Sequence, residues 1–161
     1  MSLEQENNNY KLFLDELMIM LDKLFIYQQE YLCCQNGCSL CCEDGMYPFS
    51  KMEFNYIMLA YKNLPNDMQT IIKNKVQKLK KEYHSENFFY EGPFLINKSC
   101  SVYDNRGLIC RTFGLITEDD SKKLTVPFCA ENGLNYSKVY NKATKRLDEE
   151  LVRKYGYSVD P

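Results

Sequence analysis

The sequence predicts a mostly helical α+β protein, with a single domain over residues 1–161, a short β segment and a cysteine-rich loop. Three observations predict this fold class. Apolar residues recur at helical spacing near both ends of the chain, short runs between them are rich in aromatic and β-branched residues, and eight of the 161 residues are cysteines. A mass of 19.0 kDa suits one hydrophobic core and leaves little room for a second.

The first predicted element is a long helix from Tyr10 to Leu32. Apolar residues recur there at three- and four-residue intervals, and charged residues occupy the other side. The apolar stripe consists of Phe13, Leu14, Leu17, Met20, Leu21, Leu24, Tyr27 and Tyr31. A groove for a partner is one interpretation of such a stripe, but packing into the core explains it more simply.

The next segment, Cys33–Cys42, holds five cysteines and a glycine without periodicity, and therefore predicts a loop. Two helices follow it. Ser50 and Glu53 have the spacing of a capping box, which starts a helix that ends near Asn63. Pro65 fits the first turn of a third helix. The apolar stripe of that helix consists of Met68, Ile72, Val76, Leu79 and Tyr83.

The third helix also carries five lysines, a run that suits either a docking face for RNA or an acidic partner, or a solvated surface. They are Lys73, Lys75, Lys78, Lys80 and Lys81. Twenty basic and twenty-two acidic residues give the chain a net charge of −2, without the basic field that nucleic acid or an anionic membrane attracts. We therefore interpret the run as solvated surface, and expect neither nucleic acid nor a membrane as a partner.

After Glu86 the pattern changes to short runs of aliphatic, aromatic and β-branched residues separated by turns, which predict two or three strands. The runs are Phe94–Tyr103, Cys110–Thr117 and Leu124–Cys129. Helical spacing returns over Tyr136–Tyr155, and this segment predicts a final helix.

The start of the chain is polar and acidic, unlike a secretory signal, and the longest aliphatic run, Leu17–Leu21, is too short for a bilayer span. We expect a cytoplasmic protein, whose cysteines stay reduced. His84 is the only histidine, which excludes sites that need two imidazoles, and no GxSxG nucleophile elbow is present. A stand-alone enzyme is therefore the less favoured interpretation.

The cysteines are candidate metal ligands, which makes the predicted loop a metal-binding one. Cys38 and Cys41 form a CxxC pair, whose spacing lets both sulfurs reach one ion. A second set, Cys100, Cys110 and Cys129, follows beside predicted strands and turns that would hold each ligand rigidly. Two separated sets of thiols are what a four-sulfur zinc or iron–sulfur site requires.

The charge of the thiolates and the spacing of the cysteines each add an expectation about this ligand set. Four thiolates around a divalent ion keep a charge of about −2, so Arg106 and Arg111, which flank Cys110, are candidate donors to sulfur. Cys41 and Cys42 are adjacent, and neighbouring side chains diverge, so we expect one of them to act differently. It would bind a second ion, bridge two ions, act as a redox thiol, or be buried as a small apolar residue.

These residues resemble the YkgJ-type cysteine-cluster family, described as a zinc- or iron-chelating domain. The family opens with CxxCxxCC, and Cys34–Cys42 reads CQNGCSLCC, with one extra residue in the first gap. The family's second motif is similar to CxIYxxRPxxCRxF, and Cys100–Phe113 reads CSVYDNRGLICRTF. Cys129, followed by Gly133 and Leu134, is similar to the family's trailing cysteine.

The resemblance covers about residues 34–134 and implies a metal centre, and we predict the metal-binding region over about residues 33–134. The ligands that it implies are Cys34, Cys38, Cys41, Cys42, Cys100, Cys110 and Cys129. Gly107 stands where the family has proline, and Gly92 stands where many members carry a further cysteine. Cys33 has no counterpart in the family and is a candidate replacement ligand.

The favoured function is a metal-binding protein that holds zinc or iron through its cysteine cluster, in a structural or regulatory role. Two alternatives stay open. One is an iron–sulfur protein linked to redox chemistry or to lysine N-methylation, because part of the flagellin lysine N-methylases has a similar cysteine pattern. The chain lacks a Gly-rich loop for S-adenosylmethionine and is short for that enzyme. The other is a thiol redox switch at Cys33 and Cys34 or at Cys41 and Cys42. The sequence names no protein partner.

Overall fold

The structure is a computed structural model that describes residues 3–34, 37–45, 47–84, 88–118, 120–121, 124–148 and 150. Its α-helices are α1 (Leu3–Gln28), α2 (Leu40–Glu43), α3 (Lys51–Asn63), α4 (Asn66–Glu82) and α5 (Leu108–Thr112). Its strands are β1 (Leu95–Ile96), β2 (Ser99–Cys100), β3 (Thr117–Glu118), β4 (Leu124–Thr125), β5 (Tyr140–Asn141) and β6 (Arg146–Leu147). They form three separate antiparallel pairs, β1–β2, β3–β4 and β5–β6. The predicted class, mostly helical α+β with short β segments, is confirmed.

The described residues group into two compact units. The first lies within residues 1–12 and 36–111, and the second lies within residues 13–35 and 112–161. The prediction of a single domain over the whole chain stays a prediction. Within the described part of the chain, each helix is too short or too polar to span a lipid bilayer.

Helices α3 and α4 of the first unit begin and end where local signals predict. The Ser50 hydroxyl accepts the N–H of Glu53 at 3.2 Å, and the Glu53 carboxylate accepts the N–H of Ser50 at 2.8 Å, so the predicted capping box is present. Pro65 precedes the first residue of α4 and serves as its N-cap. Ile57 and Ile72, one from each helix, are both 2% exposed and belong to the core.

The cysteine-rich loop of the first unit contains the short helix α2 and is held by backbone contacts. Gly45 pairs with Tyr90 in an antiparallel bridge, and the Cys42 carbonyl accepts the N–H of Gly92 at 2.7 Å. The strand predicted at residues 94–103 is reduced to β1 and β2. Asn97 and Lys98, both at positive φ, form the tight turn between them.

The core of the second unit gathers around Tyr136, whose side chain is fully buried. Its ring stacks on that of Tyr31 with the centroids 5.9 Å apart. Its hydroxyl donates to the side-chain oxygen of Gln28 and accepts the N–H of Ile116 at 3.0 Å. Val139 completes the cluster. The Gln28 side chain, the Tyr136 hydroxyl and the Ile116 N–H thus form a buried hydrogen-bond network at the centre of this core, which offsets the cost of burying these polar groups.

One sequence prediction is wrong in this region, and two are confirmed only in part. The predicted helix from Tyr136 is replaced by turns and the β5–β6 pair over the described residues up to 148; residues 149 and 151–155 of that prediction lie outside the described residues. The Asn141 side chain accepts the N–H groups of Ala143 and Thr144 at 3.0 and 3.1 Å, which stabilises a turn in competition with a helix. The predicted strand from Cys110 begins within α5, and the one from Leu124 ends in a 3₁₀ turn at residues 128–132.

The predicted core stripe of α1 is confirmed only in part. Leu14, Leu21 and Tyr31 are buried, whereas Phe13, Met20 and Tyr27 are exposed. The core interpretation is therefore wrong for the exposed residues. A repeat of seven residues explains the division, because the buried and exposed positions recur at the same interval on different faces of one helix.

Candidate metal centre

Three cysteines from three separate elements line one cavity in the first unit. They are Cys42 of α2, Cys100 of β2 and Cys110 of α5. The cavity has a volume of about 500 Å³, and most of its wall is apolar. Its other lining residues include Tyr47, Phe54, Ile57, Ile72, Phe94 and Leu95. Three thiols therefore border one space that is lined mostly by apolar side chains.

Local hydrogen bonds fix the position of Cys42. Its N–H donates to the Ser39 carbonyl at 2.7 Å in the first turn of α2, and its carbonyl is bound by Gly92. The next residue, Glu43, accepts hydrogen bonds from the Ser39 hydroxyl and the Lys98 ammonium. These bonds lower the pKa of the Glu43 carboxyl, with the Lys98 bond contributing most.

Cys110 is positioned through the start of α5. The Leu108 N–H donates to Oε1 of Glu53 at 2.9 Å, so the residue that caps α3 also anchors α5. Gly107 lies just before this bond, and a Cβ added there would lie 2.6 Å from the Phe49 ring and 3.0 Å from the same Glu53 oxygen. This close approach gives a steric reason for glycine at position 107.

The three thiols differ in their tendency to ionise. A hydrogen bond from Cys41 lowers the pKa of Cys42 to about 7, against the opposing effect of burial and with further help from Arg106. Burial, with smaller contributions from the neighbouring Cys42 and Cys100, raises the pKa of Cys110 to about 12. Burial also raises the pKa of Cys100. Near neutral pH, Cys42 is the thiol of this group that most readily becomes a thiolate.

Cys41 is the side chain that contributes most to the lowered pKa of Cys42, and both residues lie in the single turn of α2. The expectation that one of these two cysteines acts differently from the other ligands stays a prediction.

Arg106 is the cation beside this thiol group. Its charge lowers the pKa of Cys42 and opposes the rise at Cys100 and Cys110. Its guanidinium carbon lies 3.7 Å from the centre of the Tyr103 ring, a cation–π contact. Its Nε is buried and has no hydrogen-bond partner among the described residues. This arrangement suits an arginine that stabilises negative charge on sulfur.

Arg111 holds the backbone of the turn that presents Arg106. Its Nε donates to the Arg106 carbonyl at 3.0 Å, and its Nη2 donates to the Asp104 carbonyl. The expectation that Arg111 donates to sulfur stays a prediction.

The remaining predicted ligands are distributed over both units. Cys38 is exposed and precedes α2 in the first unit. Cys34 and Cys129 belong to the second unit, where Cys129 is buried. The Cys34 sulfur accepts a hydrogen bond from the Asn135 amide at 3.0 Å, and Asn135 also accepts the N–H of Cys33 at 2.7 Å. The ligand roles of Cys34, Cys38 and Cys129 stay predictions.

Sequence reasoning missed two residues that support the cysteines. Asn135 holds Cys33 and Cys34 from 102 and 101 positions away, and Glu53 holds α5 from 55 positions away. The Ser50–Glu53 spacing identified Glu53 as a helix cap, but no local signal indicated its second contact. For Asn135 the sequence offered no signal.

No protein-family model, no curated protein and no solved structure matches this chain.

Cysteine thiols suit metals that bind sulfur, such as zinc and iron, but the structure does not bring the described thiols together as a ligand group. Among the described residues, no three cysteine, histidine, aspartate or glutamate side chains form a group that could hold a metal ion. Cys42, Cys100 and Cys110 nevertheless share one cavity and act on one another electrostatically. Thiolates are preferred ligands of zinc and of iron–sulfur clusters. Metal binding at this site would therefore draw the three thiols closer together.

Proposed function

We propose that the chain is a metal-binding protein that holds zinc or iron through Cys42, Cys100 and Cys110, with Cys41 as the neighbouring fourth thiol. The observation that supports this proposal most is the shared cavity, to which three thiols come from three separate segments. Its role would be structural or regulatory, in the cytoplasm, where thiols stay reduced. Activity as a stand-alone enzyme is not part of the proposal.

The residues around the thiols match what such a centre needs. A bound ion would supply the positive charge that lets Cys100 and Cys110 ionise, since both have pKa values above the usual range without it. Arg106 would balance the remaining negative charge of the thiolates. The ion would crosslink α2, β2 and α5, so its binding would contribute directly to folding.

The resemblance to the YkgJ-type family supports the same proposal. Its two motifs contain Cys42, Cys100 and Cys110, the three thiols that line the cavity. A cysteine at position 92, as in many members, would stand beside Cys42, because a Cβ on Gly92 would lie 3.4 Å from the Cys42 carbonyl oxygen. Cys34, Cys38 and Cys129 remain proposed ligands on the resemblance alone.

Elemental analysis with an absorption spectrum tests the proposal, on protein purified without oxygen and without a metal-binding tag. About one zinc per chain with no visible band would support a structural or regulatory site. Iron with sulfide and a broad visible band would instead support an iron–sulfur protein, and would make redox or lysine N-methylation chemistry the next assay. Metal-free protein that also fails to bind added zinc or iron would contradict both.

A thiol redox switch is the second candidate function, and the lowered pKa of Cys42 favours it. Alkylation with iodoacetamide, followed by peptide mass spectrometry, tests it on metal-free protein. Cys42 should react with a midpoint near pH 7, whereas Cys110, whose pKa is about 12, should react slowly below pH 9. Arg106→Met should move the Cys42 midpoint upward. Equal reaction of both thiols would contradict this candidate.

A further inference from the structure

The exposed side of α1 carries large apolar side chains in the second unit. Phe13, Ile19, Met20 and Ile26 are 49%, 62%, 51% and 63% exposed. At about 100° per residue, Ile19 and Ile26 lie on the side of the helix opposite the buried Leu14, Leu21 and Gln28, and Phe13 and Met20 lie on one flank of that exposed side. The surface runs for roughly 20 Å along the helix, at 1.5 Å per residue. Four large exposed apolar side chains on this side are more than a solvated helix surface ordinarily carries, and such a surface is typical of a binding site.

Two opposite charges lie within the same surface. Glu16 and Lys23 are both exposed, one turn before Met20 and one turn after Ile19. Neither forms an ion pair with another residue in the described part of the chain, although lysines on other elements do. The strip, defined by Phe13, Glu16, Ile19, Met20, Lys23 and Ile26, therefore combines apolar surface with one unpaired charge of each sign.

The order of residues in this strip makes it complementary to itself. A two-fold axis that lies between two copies of α1, perpendicular to their plane and level with the midpoint of Ile19 and Met20, relates the two helices as an antiparallel pair. It brings Glu16 level with Lys23 of the other copy and Phe13 level with Ile26, while Ile19 and Met20 lie level with the axis. Each charge then faces its opposite near the centre of the contact, and the apolar residues lie along both edges of it.

A parallel arrangement lacks this match. In register, two parallel copies would bring Glu16 level with Glu16 and Lys23 level with Lys23, so like charges would face each other. The charges thus discriminate between the two orientations, which is how charged residues specify pairing in helical assemblies.

We propose that this strip binds the same strip of a second copy of the chain, in an antiparallel helix pair with two-fold symmetry. The apolar residues supply the affinity, and the two Glu16–Lys23 pairs set the register, because exposed ion pairs add little affinity of their own. A contact of about 20 Å along one helix per copy is small for a permanent dimer, so association in the micromolar range is expected.

Sedimentation equilibrium of the full chain, as purified and over a range of concentrations, tests the proposal by charge exchange. The wild type should approach twice the chain mass of 19.0 kDa. Glu16→Lys or Lys23→Glu alone should weaken association by roughly tenfold or more, because each places two like-charged pairs at the interface. The double variant Glu16→Lys/Lys23→Glu should restore it. An equimolar mixture of the two single variants should also associate, since each supplies the charge that the other lacks.

Two controls separate the interface from a general effect of charge or folding. Asp120→Lys makes the same charge change at an exposed residue outside α1, and should leave association unchanged. Ile19→Asp should abolish association, while circular dichroism and the melting temperature stay those of the wild type.

Several results would overturn the proposal. A wild type that stays monomeric up to hundreds of micromolar excludes it, as does a double variant no better than the single ones. Association that survives Ile19→Asp would place the interface elsewhere. Ile19-dependent binding of a monomeric wild type to phosphatidylglycerol vesicles would identify a membrane surface as the occupant instead.

Discussion

Glu53 and Leu108 are joined across 55 positions of sequence by a hydrogen bond of 2.9 Å between the Leu108 N–H and the Glu53 carboxylate. The other oxygen of that carboxylate accepts the Ser50 N–H at 2.8 Å. One side chain therefore caps α3 and anchors α5, the helix that carries Cys110. Burial opposes ionisation of Glu53, but these hydrogen bonds outweigh it and hold the pKa of the carboxyl below its usual range.

Glu53→Gln should destabilise the protein by about 1 kcal/mol, the ordinary contribution of a helix cap, because the amide replaces one acceptor with a donor. Urea unfolding measures the change. Glu82→Gln is the matched control, since the Glu82 side chain forms an exposed ion pair with Lys78 at 3.8 Å, and should change stability by less than ~0.5 kcal/mol.

The same variant should also change the pH dependence of stability. The lowered pKa means that the contribution of ionised Glu53 is fully present above the usual carboxyl pKa, and is lost as the pH falls through the lowered value. Glu53→Gln should therefore flatten the acid limb of the stability curve. An unchanged acid limb would contradict the role assigned to this carboxylate.

Cys110→Ser should lower the affinity for zinc by about 100-fold or more if Cys110 is a ligand, because serine is a poor ligand for zinc at neutral pH. The melting temperature of metal-loaded protein should fall, while that of metal-free protein should change little. Competition with a chromophoric chelator and thermal unfolding measure the two effects. Cys33→Ser is the control, since Cys33 is exposed and belongs to the second unit. Equal losses in both variants would contradict a specific role for Cys110.

Gly92→Cys should strengthen zinc binding by roughly tenfold or more, because it adds a thiol to a cavity wall that already holds three. The position can accept a side chain, since the nearest atom to an added Cβ, the Cys42 carbonyl oxygen, is 3.4 Å away. Gly92→Ser is the matched control of similar size and should leave the affinity unchanged or weaker. Equal affinities of the two variants would indicate that the metal binds elsewhere.

Zinc affinity should rise with pH, because thiols must lose their protons to bind the ion. Below pH 7 the three cavity thiols should release about three protons per ion, and at pH 8 about two, since the pKa of Cys42 is about 7. Calorimetry in buffers of different ionisation enthalpy counts the protons. Proton release that stays constant from pH 6 to pH 8 would contradict the assignment of Cys42.

Local signals predicted the fold where the decisive contacts are local. The Ser50–Glu53 pair lies three residues apart, and the predicted bounds of α3 agree with the structure. The helix predicted from Tyr136 is absent over the described residues up to 148. The prediction considered only the spacing of apolar residues, whereas the hydrogen bonds of the Asn141 side chain to the backbone favour a turn. The exposure of Phe13 and Met20 could not be read from the α1 stripe either, because helical spacing does not say which arc of a wide stripe is buried.

The cysteines themselves were evident in the sequence, and the CxxC spacing placed two of them in one loop. Which of the cysteines line one cavity could not be predicted from the sequence. That Cys42, Cys100 and Cys110 line one cavity depends on the pairing of Gly45 with Tyr90 and on the Glu53–Leu108 bond, both of which join distant segments. The Asn135 contact to Cys34 spans 101 positions. Contacts of this range depend on the tertiary fold, which residue spacing does not encode.

The hydrogen bond between Gln28 and Tyr136 joins residues 108 positions apart, and residues 36–111 of the first unit lie between them in the chain. On a ribosome that adds about 5–20 residues per second, Gln28 waits roughly 5–20 s for its partner to be synthesised. All residues of the first unit are synthesised before Tyr136. The order of translation therefore lets the thiol-bearing unit fold first, while the N-terminal half of the second unit still awaits its core.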